Sequence, residues 1–223
     1  MILLKKDLGV LAEGVREGRA THANIMKYVM MGTSSNFGNM LSMASGVLFL
    51  PFLPMLPVQI LLNNLLYDLS EITIPMDRVD EDMIRRPRRW DMKFVRGFML
   101  TMGSVSSLFD LLTFGLLIRV FHAGESLFHT GWFLESLATQ VLVIFAIRTR
   151  GNPLRNLPNP LLAASSIAVL LVALILPYTA VGAWFGFVPP PPQLLLALAG
   201  MTGVYLLAVE QVKHRFYARH PIS

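Results

Sequence analysis

The sequence predicts an all-α fold: a polytopic membrane bundle of about six transmembrane helices, with a short cytoplasmic helix or stalk at its N-terminal end. Three observations predict it. Of 223 residues, 54% are hydrophobic and only 15% charged, against about 25% charged in ordinary soluble domains. The apolar residues gather into long stretches with almost no charge between basic clusters. The basic clusters also alternate in side, as cytoplasmic loops of a membrane protein do.

A span needs about 20 largely apolar residues to cross a hydrocarbon core of ~30 Å. Six stretches qualify, over residues 28–50, 56–74, 94–121, 132–147, 161–185 and 193–212, the fourth being short. Between the second and third lie Arg78, Arg85, Arg86, Arg88, Arg89, Lys93 and Arg96. The N-terminal segment holds Lys5, Lys6, Arg16, Arg19 and Lys27; the fourth-to-fifth loop has Arg148, Arg150 and Arg155; the tail has Lys213, Arg215 and Arg219. Arg119 alone falls on the other side. Positive residues stay inside, so both termini face the cytoplasm. The organisation that follows is a cytoplasmic segment over 1–27, a membrane domain over 28–212 and a basic tail over 213–223.

The external connections carry Pro51, Pro54 and the run Pro189–Pro192. Proline lacks a backbone donor and suits interfacial turns rather than span interiors. Within 7–27, Leu8, Leu11 and Val15 share a helical stripe that needs an apolar partner surface. Gly18 is expected to end this helix before another begins near Ala20. No cleavable signal peptide is visible in the first residues. The absence of cysteine excludes disulfides, thiolate metal sites and cysteine nucleophiles. The net charge of +5 is explained by loop topology, and nucleic acid is not an expected partner.

Polar groups inside spans are costly, so each needs a reason. In the second span Asn64, Asp68 and Glu71 are spaced four and three apart and share one helical face, with Tyr67 beside them and Asn63 flanking. Carboxylate and carboxamide oxygens are hard ligands that suit Mg²⁺ or Ca²⁺. In the first span Asn36 and Asn39 share a face, and Gly38 permits close backbone approach or local unwinding. The competing reading of both sets is interhelical hydrogen bonding. Asp110 and Glu135 are each a ligand, a proton acceptor or a buried anchor. Glu135, near the external end, is expected to meet water, and His122 and His129 to be solvated in the external loop. The 13 methionines are flexible apolar packing.

These residues also carry a resemblance. Glu13-Gly14-Val15-Arg16-Glu17-Gly18-Arg19, followed by Asn24 and Lys27-Tyr28, resembles the junction at which the phosphorylation domain of P-type cation ATPases passes into the stalk of the fifth membrane helix. Ser34-Ser35-Asn36-Phe37-Gly38-Asn39 resembles the cation-site segment of that helix, with Asn39 standing where calcium pumps have glutamate. Residues 57–68 resemble the sixth membrane helix: Asn64 and Asp68 match its Asn-x-x-x-Asp pair, and Tyr67 replaces a threonine of calcium pumps. The continuation over 69–80, Thr130-Gly131-Trp132-Phe133 and Arg148-Thr149-Arg150 look like the magnesium-transporting class.

The resemblance, to the C-terminal membrane half of a magnesium-transporting P-type ATPase, implies the cation-translocation portion of a pump that couples ATP hydrolysis to Mg²⁺ uptake through an aspartyl-phosphate. It carries over Asn36, Asn39, Asn64 and Asp68 as ligands; Glu71 is added from helical spacing. Mg²⁺ is then the transported ion. ATP acts only through cytoplasmic domains that this sequence lacks, since it has no Asp-Lys-Thr-Gly-Thr, Thr-Gly-Glu or Gly-Asp-Gly motif. By itself the chain is expected to be inactive as an ATPase. The implied partners are the lipid bilayer, a divalent cation and the missing N-terminal half, joined in cis or as a split subunit. The implied location is the bacterial inner membrane. A free-standing passive channel or carrier, or a non-transporting remnant of the same family, stays open as an alternative.

Overall fold

The computed structural model describes residues 8–85, 87, 90–149, 151 and 156–219, the side chains of Leu8 and Asp82 excepted. The expected positions Lys5, Lys6, Arg86, Arg88, Arg89, Arg150 and Arg155 lie outside the described residues. The described elements are all helical: α1 (Leu8–Val47), α2 (Pro57–Glu71), α3 (Glu81–Ile84), α4 (Met92–Arg119), α5 (Glu125–Ile147), α6 (Pro160–Ile175), α7 (Ala180–Trp184) and α8 (Pro192–Arg219). Short 3₁₀ turns follow α2 at Ile74–Met76 and α6 at Leu176–Tyr178.

Helix α1 runs 40 residues without a break, about 60 Å at 1.5 Å per residue. Gly18 does not divide it. A lone glycine costs only about 1 kcal/mol in a helix, and Glu17, Arg19 and Ala20 around it favour the helix. Gly38 does not unwind it either. There α1 crosses α4 so closely that a Cβ on Gly103 would stand 2.8 Å from the Ser34 carbonyl oxygen, and one on Gly38 3.1 Å from the Gly103 carbonyl oxygen. Small residues let the two backbones meet, and α1–α4 is the most extensive helix pair in the bundle.

Sequence chemistry explains the other helix ends. Pro57 opens α2, and Gln59 Oε1 accepts from the Leu56 N–H at 2.9 Å. Asp91 caps α4 by accepting from the backbone N–H groups of Lys93 and Phe94, and Asn159 caps α6 through Leu161. Such caps satisfy donors that the first turn leaves open. The fifth apolar stretch is not one helix: α6 stops at Ile175 because Pro177 lacks an N–H, and α7 restarts after Thr179, which accepts from the Gly182 N–H at 3.0 Å. Helix α5 begins at Glu125, seven residues before the apolar run, because Gly124 and an acidic first turn start it in polar sequence. Helix α8 continues into the basic tail as far as Arg219.

Among the described residues, four segments are long and apolar enough to cross a membrane: α4, α5, α6 with its 3₁₀ turn, and α8. Helix α1 is long enough but polar in its middle, and α2 has only 15 residues. Helix α5 is the hub, buried along most of its length against α8, α4, α2 and α6. Phe114, Phe128 and Trp132 form its aromatic centre, with the Phe114 and Trp132 rings perpendicular at 4.8 Å.

Candidate functional site

Helices α1 and α2 stand apart. Helix α1 packs on α4, while α2 packs on α5 and α6. The gap between them is a cavity of about 570 Å³ whose polar lining is Asn36, Asn39, Asn63, Asn64 and Ser136, with Trp132 at its back. Met40, Met43 and Met55 supply the apolar side. Three of the five expected ligands, Asn36, Asn39 and Asn64, therefore meet around one space.

The other two expected ligands do not line it. Asp68 is exposed on the outer side of α2. Glu71 is buried at the α1–α2 boundary, where its Oε1 accepts from Tyr67 Oη at 2.5 Å. Its Oε2 lies 3.7 Å from where a Cβ on Gly32 would stand. Tyr67 Oη in turn accepts from Ser35 Oγ at 3.1 Å, so this chain of groups bridges the two helices below the cavity.

Asn63, which flanks the 64–68–71 ladder, is 2% exposed and its Oδ1 has no hydrogen-bond partner. Buried carbonyl oxygens are normally satisfied, so an open one in a polar cavity is a candidate ligand. Sequence reasoning missed it because Asn63 falls one residue off the 64–68–71 ladder. On the opposite wall Ser136 Oγ donates to Asn39 Oδ1 at 3.3 Å and accepts from Gln140 Nε2 at 2.6 Å. Among the described residues no three His, Asp or Glu side chains converge as a metal cluster. The oxygens gathered here are carboxamides and hydroxyls, a neutral hard set of the kind that an incompletely dehydrated cation accepts.

Behind the cavity lies a second polar group. Asp110 is 1% exposed and accepts from Ser42 Oγ at 2.5 Å and from Trp132 Nε1 at 3.0 Å. Glu135 is also 1% exposed and does not meet water, and neither of its carboxyl oxygens has a hydrogen-bond partner. The starting point of α5 explains the difference, because ten helical residues precede Glu135 and carry it well inside the bundle. His129 is likewise buried, not solvated: its Nε2 is 2.7 Å from the Leu53 carbonyl oxygen, which ties the 51–55 connection to α5. His122 is exposed, with a positive φ of 47° at the turn after α4.

At the basic end of the bundle the elements around the cavity are locked by charge. Asp77 is buried and accepts from Lys27 Nζ at 3.2 Å and from Arg148 Nη1 at 3.0 and 2.9 Å. The same carboxylate takes the Asn159 N–H at 3.1 Å. Burial lowers the Lys27 ammonium from its ordinary value of 10.5, with Asp77 acting against that shift. Asn24 Nδ2 donates to the Pro75 and Asp77 carbonyl oxygens, both at 2.9 Å. Further out on α1, Arg19 Nη1 donates to the Ile84 carbonyl oxygen at 3.1 Å. Asp80 receives Thr149 Oγ1 and Asn156 Nδ2. Lys213 is fully buried on the end of α5, donating to the carbonyl oxygens of Ala146 and Thr149; a cation there complements the helix terminus.

The family described as "Cation transporting ATPase, C-terminus" matches residues 52–215. The chain is 42% identical, over 98% of its length, to a protein of Escherichia coli strain K12 named "Magnesium-transporting ATPase, P-type 1". It is 40% identical over 98% to a protein of the same name from Salmonella typhimurium strain LT2. It is 27% identical over 93% to the "Calcium-transporting ATPase" of Bacillus subtilis strain 168. In each case it spans 25% of the relative's length. With the family matched across most of its residues, the membrane helices and polar cavity described above are those of the C-terminal region of a P-type cation-transporting ATPase, the family to which this chain belongs.

Proposed function

We propose that this chain is the cation-translocation portion of an ATP-driven magnesium transporter, with Mg²⁺ as the transported ion. The observation that supports this best is the cavity between α1 and α2, where Asn36, Asn39, Asn63 and Asn64 turn toward one space and Asn63 Oδ1 lacks a partner. Mg²⁺ holds its water tightly and is bound through few protein oxygens with retained waters. A neutral carboxamide lining suits it better than a dense carboxylate cage. Asp68 supplies the charge: it stands on the exposed edge of α2, where further helices of a longer pump would cover it, and Glu71 anchors the same face through Tyr67.

On this reading α1 and α2 also cross the membrane, making six spans with both termini cytoplasmic, in a bacterial inner membrane. Residues 1–27 belong to the phosphorylation domain's end and the stalk, 28–212 to the transport domain and 213–223 to the cytoplasmic tail. The polar residues that form the site are what make α1 and α2 poor apolar spans. The ATP-hydrolysing domains come from the rest of the pump, in cis or as a separate subunit. The names of the enterobacterial relatives, which match 98% of this chain, favour Mg²⁺ over Ca²⁺.

The test is growth of magnesium-transport-deficient bacteria on low Mg²⁺. The chain is supplied together with the remaining three quarters of the E. coli relative. Rescue that disappears with Asp68→Asn and survives with Leu65→Ala supports the reading. Equal loss in both variants contradicts it, and rescue by this chain without the ATP-hydrolysing portion favours passive conduction.

A further inference from the structure

Gln140 lies one helical turn beyond Ser136 on α5, behind the cavity wall that Ser136 and Asn39 line, and is 3% exposed. A side-chain amide offers two hydrogens at its nitrogen and an acceptor at its oxygen. Here Nε2 donates to Ser136 Oγ at 2.6 Å, while Oε1 is buried without a partner. Thr139, the neighbouring hydroxyl, does not supply one: its hydrogen goes to the carbonyl oxygens of Glu135 and Ser136. A buried acceptor left open is costly, so this one calls for an explanation beyond packing.

The Ser136 hydroxyl has one hydrogen. Since its oxygen accepts from Gln140, that hydrogen turns to Asn39 Oδ1 at 3.3 Å. The relay therefore runs from Gln140 through Ser136 to Asn39, and it occupies the one atom of Asn39 that can ligate a cation. The Nδ2 end of that amide is a donor only. The opposite polarity is also complete. With both amides turned over, Asn39 Nδ2 donates to Ser136 Oγ, Ser136 donates to Gln140 Oε1, and Asn39 Oδ1 is released. The open Gln140 oxygen is the acceptor that this second polarity uses.

We propose that Gln140 is a positioning residue for the cation cavity: acting through Ser136, it holds the Asn39 oxygen away from the ion while the cavity is empty and gives it up when the ion enters. This rests on the reading of the cavity as the cation site. Gln140 itself touches no ion. The relay makes binding weaker than the ligand set alone would give, because the ion must take the Asn39 oxygen from Ser136. A translocating site needs such a limit, since an ion bound too tightly does not leave.

Titration of Tm with Mg²⁺ for the chain in lipid nanodiscs tests this. Gln140→Leu removes the donor, and the Ser136 hydroxyl can then turn to the backbone carbonyl four residues back and accept from Asn39 Nδ2. The half-saturating Mg²⁺ concentration is predicted to fall by about 3–10-fold, the worth of one net hydrogen bond. In an Asn39→Asp background both ends of side chain 39 are oxygens, so its orientation no longer matters and Gln140→Leu is predicted to leave half-saturation unchanged. A purely structural role would lower the Mg²⁺-free Tm in both backgrounds without moving half-saturation. Gln140→Met carries the same predictions should Gln140→Leu fail to fold. Half-saturation that rises or stays constant with Gln140→Leu, or that falls equally in the Asn39→Asp background, overturns the relay and leaves the cation reading standing. Absence of any Mg²⁺ effect on Tm in all of these proteins overturns the cation reading, and the relay with it.

Discussion

Tyr67 Oη donates to Glu71 Oε1 at 2.5 Å and accepts from Ser35 Oγ at 3.1 Å, so one phenol joins α2 to α1 where the two helices otherwise stand apart. The predicted consequence of Tyr67→Phe is a loss of about 1–3 kcal/mol, because a buried carboxyl and a buried hydroxyl lose their partner. Thermal unfolding in detergent checks it. Leu69→Ala, at an exposed site on the same helix, is expected to change stability far less.

The clamp on Asp77 gives an asymmetric prediction. Asp77→Asn leaves Lys27 and Arg148 buried without their anion, and breaking a buried pair in this way costs about 3–5 kcal/mol. Lys27→Met costs less, since Asp77 keeps Arg148 Nη1 on both oxygens. Proteolysis of the connection between α2 and α4 provides the measurement: cleavage rises sharply in Asp77→Asn and modestly in Lys27→Met. Equal sensitivity in both variants would mean that Arg148 does not sustain the clamp.

The α1–α4 crossing predicts a position-specific glycine effect. Gly103→Ala places a Cβ 2.6 Å from Phe37 Cδ1 and 2.8 Å from a backbone oxygen, and overpacking of this kind costs about 1–3 kcal/mol. Gly115→Ala, with open space around its Cβ, is predicted to be neutral or stabilising by up to about 1 kcal/mol through reduced chain entropy. Paired denaturation curves separate the two.

These predictions rest on features that differ in how far the sequence discloses them. The apolar runs placed α4, α5, α6 and α8, because hydropathy over about 20 residues is the dominant signal for a span. The same signal failed at Gly124–Leu127, where α5 starts in polar sequence, and at Pro177, where one apolar run became two helices. Asn36, Asn39 and Asn64 were legible because helical spacing puts them on facing stripes. Asn63 was not, since an open carbonyl oxygen is a property of packing between helices. The burial of His129 and Glu135 was also hidden, because depth in the bundle depends on where α5 begins. The Asp77 clamp joins residues 27, 77, 148 and 159, which no local pattern connects.

Topology is tested independently of these energies. Accessibility of tags at the two termini is predicted to be cytoplasmic for both, as positive-inside bias requires. An external C-terminal tag would contradict the six-span arrangement.

The most direct test of the cation cavity is Mg²⁺-dependent thermal stabilisation of the chain in lipid nanodiscs. A ligand that binds only the folded state adds about 2.7 kcal/mol at one hundred times its Kd. The account predicts that Mg²⁺ raises Tm for the unaltered chain and for Leu65→Ala, and that Asn63→Ala/Asn64→Ala abolishes the rise. A rise of the same size in Asn63→Ala/Asn64→Ala, or none in the unaltered chain, would contradict it.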